Sequence, residues 1–242
     1  SNRINVYNTT NGQQKGVVAG IVLLNADNNV LNFNQASISG DEYAIGIYMI
    51  NSSNNHYTSN FNGLRPTATN AIGTYLTGNV NNNQFIASSS YNYIKATNKG
   101  YLFIINATNG NNNTISGQSM NKLGTFTQGE DILLINTNNT FINKTTLSSN
   151  GIKIVNANNT IIFSSTLKNN NNTIVFINST NNTINNTAIS ANYGIIFENS
   201  SNNTVINSNI NTTETNTVTI INSNNTNVTK NYLNYNNTYG GD

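Results

Sequence analysis

The chain has 242 residues, of which only 7% are charged, and its formal net charge is +2. So small a net charge does not favour nucleic acid or an anionic membrane as a partner, and a single His with no Cys argues against zinc, iron or copper sites. No apolar run approaches the roughly 18 residues that a membrane-spanning helix needs, so we expect no membrane insertion.

One phrase recurs along the chain: a short apolar strand, an Asn that ends it, a small residue and an Asn-rich turn. The clearest copies lie at residues 152–161, 174–184 and 195–205. A repeat of about 20–30 residues is typical of a solenoid, in which one supersecondary unit stacks on itself. The strand-ending residues are Asn25, Asn51, Asn79, Asn106, Asn136, Asn156, Asn178, Asn199 and Asn222.

Each copy predicts three short strands separated by three corners. The first apolar run, such as residues 132–135, is rich in β-branched residues and too short for a helix. A second apolar position follows the Asn-rich corner, and a third follows about five or six residues later. We therefore predict an all-β fold, a right-handed parallel β-helix of about nine rungs with almost no helix.

The spacing of the repeated Asn residues divides the chain into two halves. Successive spacings are 26, 28, 27 and 30 residues up to Asn136, and 20, 22, 21 and 23 residues after it. Longer rungs predict projecting loops, which in solenoids often form the binding face. We expect one β-helix domain over 1–242, part of a larger surface protein: a cap or partial rung at 1–16, long rungs at 17–131 and short regular rungs at 132–242.

The repeated Asn predicts a buried ladder. An inward amide at a corner can bond to the Asn of the next rung and can satisfy backbone groups that no strand pairing reaches. If all nine of these Asn face inward, strand alternation turns the residues one and three positions earlier outward. Those positions form an apolar stripe at Val22/Leu24, Tyr48/Ile50, Phe103/Ile105, Leu133/Ile135, Val175/Ile177 and Ile196. We also expect the third rung to be irregular, because the strand before Asn79 ends in Thr-Gly.

Catalytic and metal-binding patterns are absent from the sequence. The acidic pairs Asp41-Glu42 and Glu130-Asp131 are adjacent, so their side chains would point to opposite faces of a strand. We expect both pairs to be solvated corners, and His56 to be a surface corner residue. We predict no catalytic residue, no metal site and no cofactor.

The long-rung half holds the candidate ligand contacts, because the extra loop residues and most of the aromatic residues fall there. A Tyr ring can support a sugar, since the ring is apolar and its hydroxyl can hydrogen-bond. The alternative is that these rings pack the loops onto the coil. The predicted ligand-contacting residues are Tyr57, Phe61, Arg65, Tyr91 and Tyr93.

The phrase Gly-Ile-x-Ile-x-Asn-Ser-x-Asn-Asn-Thr-Ile, near residues 151–162 and 194–206, resembles the parallel β-helix repeats of the pectin-lyase-like superfamily. More narrowly, it resembles the Asn/Thr-rich adhesin-like surface proteins of methanogenic archaea. The resemblance implies an extracellular cell-surface protein that contacts other cells or polysaccharide. Asn-x-Ser/Thr sequons occur 17 times, which is consistent with a glycoprotein. No catalytic motif of the superfamily has a match.

We therefore expect a non-enzymatic, adhesin-like rod whose partner is polysaccharide or another cell-surface protein. One alternative is a carbohydrate-active enzyme, of lyase or hydrolase type, or a carbohydrate-binding module; another is an inert stalk spacer. Clustering of the acidic pairs with Arg65, Lys95 or Lys99 beside aromatic rings would favour the enzyme. A bare, regular surface would favour the spacer.

Overall fold

The computed structural model describes residues 3–7, 16–32, 35–59, 63–126, 128–168, 173–214 and 216–236. At residues 3, 4, 6, 7, 59 and 88–91 it describes the backbone alone. Within these ranges the chain forms 24 β-strands and no helix. The all-β prediction is confirmed.

The strands are short in the second half of the chain and longer in the first. In chain order they are β1 Arg3–Tyr7, β2 Val17–Leu24, β3 Val30–Asn32, β4 Gln35–Ser39, β5 Tyr43–Ile50, β6 His56–Ser59, β7 Leu64–Asn81, β8 Gln84–Asn111, β9 Thr114–Gly124, β10 Ile132–Asn138, β11 Phe141–Asn143, β12 Thr146–Leu147, β13 Ile152–Val155, β14 Ile161–Phe163, β15 Thr166–Lys168, β16 Ile174–Ile177, β17 Thr183–Asn185, β18 Ala188–Ala191, β19 Ile195–Glu198, β20 Thr204–Ile206, β21 Asn209–Thr212, β22 Val218–Ile221, β23 Asn227–Thr229 and β24 Tyr232–Tyr235.

Every strand pairs in parallel with the equivalent strand one rung away, which gives a parallel β-helix with three faces. The first face begins each rung and contains β2, β5, the end of β7, the end of β8, β10, β13, β16, β19 and β22. We number rungs 1 to 9 by these nine strands, which eight turns connect within the described residues. The prediction of about nine rungs is confirmed.

The second face contains β3, β6, the starts of β8 and β9, β11, β14, β17, β20 and β23. The third face contains β4, the start of β7, the middle of β8, the end of β9, β12, β15, β18, β21 and β24. Strand β1 pairs with β4 on the third face, ahead of rung 1.

The interior of the coil is filled by alternate residues of each strand. In rung 5, Ile132 and Leu134 are fully buried, while Leu133 between them faces outward and is half-buried. β-branched and aromatic side chains suit this pleated, half-buried geometry. Aromatic rings stack inside as well, since the centroids of Phe176 and Phe197 lie 4.9 Å apart at an interplanar angle of 17°.

The strand-ending Asn residues do not form the buried ladder, so that part of the prediction was wrong. All nine are exposed. Seven of them adopt the left-handed conformation, as at Asn136 (φ 53°) and Asn178 (φ 50°), a region that Asn tolerates better than most residues. The left-handed turn interrupts strand alternation, so the Asn side chain swings outward where an extended residue would point inward.

An inward Asn ladder does exist, in most rungs four residues further along, and its presence confirms the prediction of such a feature. Asn55, Asn83 and Asn113 are buried on consecutive rungs. The backbone N–H of Asn55 donates to Asn83 Oδ1 (3.0 Å), and that of Asn83 donates to Asn113 Oδ1 (3.1 Å). Asn182 and Asn203 repeat the contact at 2.9 Å. A parallel ladder of hydroxyls runs beside it through Ser179 and Ser200, at 3.0 Å.

Two of the predicted corner residues are also out of register. Strand pairing aligns Ile50 with Thr77 and Thr77 with Asn106, so the corner positions of rungs 3 and 4 are Gly78 and Ala107. Gly78 adopts the positive φ (79°) that Asn supplies elsewhere. The register shifts between Gly78 and Asn79, which confirms the expected irregularity of rung 3.

The outward apolar stripe is present on the first face, although the strand-ending Asn residues do not face inward as predicted. Val22 and Leu24 are 54% and 59% exposed, and Leu133 and Ile135 are half-buried on the outer surface. The exception is rung 4, where Phe103 and Ile105 point inward and are 1% and 0% exposed. The outward residues of that rung are Ile104 and Asn106, because its corner comes one residue later.

Candidate functional site

A groove runs over the outside of the third face in rungs 1 to 4, where the rungs are long. Its floor is made by β4 and by the third-face segments of β7, β8 and β9. Strand pairing aligns Ser39, Thr67, Lys95 and Leu123 across these four strands. A cleft of about 520 Å³ is lined by Ser37, Ile38, Ser39, Arg65, Thr67, Tyr93, Lys95 and Leu123.

Arg65 and Tyr93 meet in this cleft. Arg65 lies on β7 two residues before Thr67, and Tyr93 lies two residues before Lys95 on the neighbouring strand, so both side chains fall in one outward row. The guanidinium carbon of Arg65 lies 4.5 Å from the centroid of the Tyr93 ring. This cation–π contact holds an aromatic ring and a permanent positive charge together beside the polar groups of the floor.

A second cleft lies around the corner, ahead of the first face. It has a volume of about 560 Å³ and is lined by Asp41, Glu42, Tyr43, Thr69, Asn70, Asn98 and Lys99. A cleft of about 380 Å³ joins the two, sharing Thr67 and Lys95 with the first and Asp41 and Thr69 with the second. The three form one continuous depression, which we call the long-rung groove. Asp41 is exposed, as expected of a solvated corner.

The predicted ligand contacts are only partly placed in this groove. Arg65 and Tyr93 are there, but Tyr57 is 1% exposed and packs inside the coil against Phe85, so its prediction as a ligand contact was wrong. The outward position in β6 belongs to His56 and Thr58, which strand alternation leaves half-exposed. Phe61 lies outside the described residues, as does the side chain of Tyr91, whose backbone pairs with Ser119.

Sequence reasoning did not single out Thr67, Thr69, Asn70 and Asn98 as groove residues. Residues of these types are too common in this chain to stand out in the sequence. Pairing across rungs brings them together: the backbone N–H of Thr69 donates to the carbonyl oxygen of Asp41 (3.1 Å), and Asn98 Nδ2 donates to Asn70 Oδ1 (3.1 Å). The available signal was the extra length of these rungs.

Asp131 is fully buried, so the expectation of a solvated corner was wrong for this residue. Its carboxylate accepts the backbone N–H of Ser149 and that of Asn150, each at 3.0 Å. Burial raises the pKa of Asp131 to about 6, while the backbone N–H groups of Asn150, Ser149 and Gly151 and the charge of Lys122 lower it. The carboxylate therefore holds the corner of the following rung at a cost in desolvation.

This burial predicts a specific pH dependence. Because the folded-state pKa of about 6 lies above the ordinary value of 3.8, the Asp131 contribution to stability is greatest below about pH 4 and is lost as pH rises through about 6. The difference corresponds to about 3 kcal/mol. Denaturant unfolding of the wild type and Asp131→Asn at several pH values measures it: the stability of the wild type relative to the variant should fall by about this amount between pH 4 and 7. A difference that does not change with pH would contradict the assignment.

The described ranges contain no group of three or more His, Cys, Asp or Glu side chains arranged to hold a metal ion. The same part of the chain also contains no helix long and apolar enough to cross a membrane. One ion pair is recorded among the described residues, between Lys153 Nζ and Glu130 Oε1 at 3.9 Å, and it lies on the surface.

Comparison with known proteins does not extend these observations. No protein-family model matches the chain, and no curated protein matches it. The geometry itself therefore identifies the chain as a parallel β-solenoid.

Proposed function

We propose that this chain is a non-enzymatic, carbohydrate-contacting domain of an extracellular surface protein. The observation that carries the proposal is the long-rung groove, in which Arg65 and Tyr93 form a cation–π pair above a polar floor. A sugar offers apolar C–H faces and hydroxyl groups, which an aromatic ring and neighbouring Thr, Asn and charged side chains can contact together. The regular rod supports this groove on paired strands rather than on a free loop.

The adhesin-like character is part of the same proposal. Exposed sequon residues such as Asn51, Asn178 and Asn199 lie on the outer corner, where a glycan would extend into solvent. The short rungs 5 to 9 have the regular surface expected of a stalk. We therefore propose that the short rungs act as a stalk, which holds the long-rung groove at a distance from the surface to which the protein is attached.

The test begins with a glycan-array screen of the intact domain and continues with two double variants. Arg65→Ala/Tyr93→Ala removes the charge and the ring from the groove and should weaken binding of a captured glycan about tenfold, or about 1.4 kcal/mol. The matched control is Phe163→Ala/Lys168→Ala, which removes an outward ring and an outward charge from the short-rung half. Equal losses in the two variants, with unchanged melting temperatures, would contradict the assignment.

A carbohydrate-active enzyme is the second candidate, and one observation favours it. Asp41, Glu42 and Lys99 line the same cleft as the Tyr43 ring, so carboxylates that could serve as acid or base lie beside a cation. Incubation of captured glycans with the domain, followed by assays for new reducing ends and for unsaturated products, separates the two functions. If the wild type releases such products and the Asp41→Asn/Glu42→Gln variant does not, the domain is an enzyme rather than a binding domain.

A further inference from the structure

The outer surface of the first face is apolar along the whole coil. Its two outward rows hold 18 aligned positions in the nine rungs, and 13 of them are apolar or Tyr. One row contains Val22, Tyr48, Tyr75, Ile104, Leu133, Lys153, Val175, Ile196 and Thr219; the other contains Leu24, Ile50, Thr77, Asn106, Ile135, Val155, Ile177, Glu198 and Ile221. We call these two rows the outer apolar face.

The face is accessible along most of its length, and none of the described strands covers it. Val22, Leu24 and Ile221 at its ends are 54%, 59% and 43% exposed. The remaining members are half-buried, except Ile104 at 8% and the exposed Asn106. Tyr48 and Tyr75 stack on each other with ring centroids 5.3 Å apart, and they pack against Ile45 and Ile72, which are 3% and 5% exposed.

Two of the 18 positions on this face are charged: Lys153 lies inside its row, between Leu133 and Val175, and Glu198 lies in the other row, one rung from its end. Lys153 is paired with Glu130, which lies outside the two rows. Glu198 belongs to the row beside the exposed Asn corner, so its carboxylate can stay hydrated when the rest of the face is covered. The central residues of the short-rung half, Val155, Val175 and Ile177, carry no polar side-chain group. Such a surface suits another apolar sheet better than a glycan, which needs hydrogen-bonding partners.

We propose that the outer apolar face binds the same face of a second copy of this chain, forming a side-by-side dimer. Two flat sheets can pack face to face about 10 Å apart with their strands nearly aligned, and one surface used twice about a two-fold axis needs no second complementary surface. Nine strands at about 4.8 Å spacing, with two rows of side chains, give a strip of about 40 Å by 12 Å. Both copies together would bury about 1,000 Å², which is the lower limit for a biological interface and the size of a weak, concentration-dependent one.

The dimer would leave the Arg65–Tyr93 end of the long-rung groove uncovered, because that end lies on the third face, around a corner from the first. Two grooves would then be held on one rigid body. The proposal does not depend on what the groove binds, since it rests on the first face alone.

Sedimentation velocity over a range of concentrations tests the proposal. The wild type should pass from monomer to dimer as its concentration rises. Val175→Lys places a charge at the centre of the short-rung part of the face and should keep the chain monomeric throughout. Asn185→Lys is the matched control, because it places the same charge on an outward, half-buried position of the second face in the same rung, and it should dimerise like the wild type.

A second measurement keeps the test independent of how well the charged variant folds. The chain contains no Cys, so Val155→Cys and Asn185→Cys each provide a single thiol. Alkylation of the thiol at position 155 should slow as the protein concentration rises, while alkylation at position 185 should not change. A wild type that stays monomeric overturns the proposal, as does association that persists in Val175→Lys or equal alkylation behaviour of the two thiols. Binding to neutral lipid vesicles without dimerisation would also overturn it.

Discussion

Replacement of Asn83 by Leu should lower the free energy of unfolding by about 2–6 kcal/mol, because two buried backbone groups lose their partners at about 1–3 kcal/mol each. Asn83 is fully buried, and its Oδ1 accepts the backbone N–H of Asn55 at 3.0 Å. Its Nδ2 donates to the backbone carbonyl of Ser52 at 3.0 Å. Leu has a similar size but cannot accept or donate, so the corner of rung 2 would be left with an unpaired donor and an unpaired acceptor.

Denaturant unfolding of Asn83→Leu measures the effect, and Asn178→Gly is its control. Asn178 is exposed and adopts the left-handed conformation (φ 50°), which Gly enters without steric strain. The control should therefore change stability by less than about 1 kcal/mol. If both variants lose the same stability, the buried ladder is not the stabilising feature of the corners.

Replacement of Phe176 by Ala should destabilise the coil by about 3–5 kcal/mol, the usual range for deleting a buried aromatic ring. Phe176 is fully buried and stacks on Phe197 in the next rung, with centroids 4.9 Å apart. Because each rung is held mainly by its two neighbours, the cavity weakens two interfaces of the stack at once. The loss should appear as a lower denaturation midpoint in circular dichroism.

The control for this variant is Ile161→Ala on the second face. Ile161 points outward and is 42% exposed, so its truncation should cost less than about 1 kcal/mol. The two variants together test directly which residues of each strand point into the coil and which point outward. A large loss at Ile161 with a small loss at Phe176 would show that the phase is reversed.

Local sequence was sufficient to predict the repeated coil. The apolar runs are short and rich in β-branched residues, and their period of about 20–30 residues admits a stack of parallel strands more readily than any other arrangement. The division into long and short rungs also followed from spacing alone. Strand pairing then gave the lengths of the long rungs more accurately. The distance along the chain between aligned residues, such as Tyr43, Asn70 and Lys99, measures rung length better than the spacing of the repeated Asn.

The identity of the buried amides could not be read from the repeat. In Asn181-Asn182 the first residue is exposed in the left-handed conformation and the second is buried, although the two have the same side chain. The left-handed turn at the corner, rather than composition, decides which amide points inward. The left-handed turn also explains why the outward stripe was predicted correctly although the Asn that follows it was not. The strand residues alternate as expected, and only the Asn departs from the alternation.

The candidate site shows the same division between sequence and tertiary structure. The sequence by itself determined that the extra residues and most of the aromatic rings fall in the long rungs. Only the tertiary structure decided that Arg65 and Tyr93 meet, that Tyr57 is internal and that Asp131 is buried. These outcomes depend on register between residues 20 to 30 positions apart, and a shift of one residue turns a side chain from one face of a strand to the other.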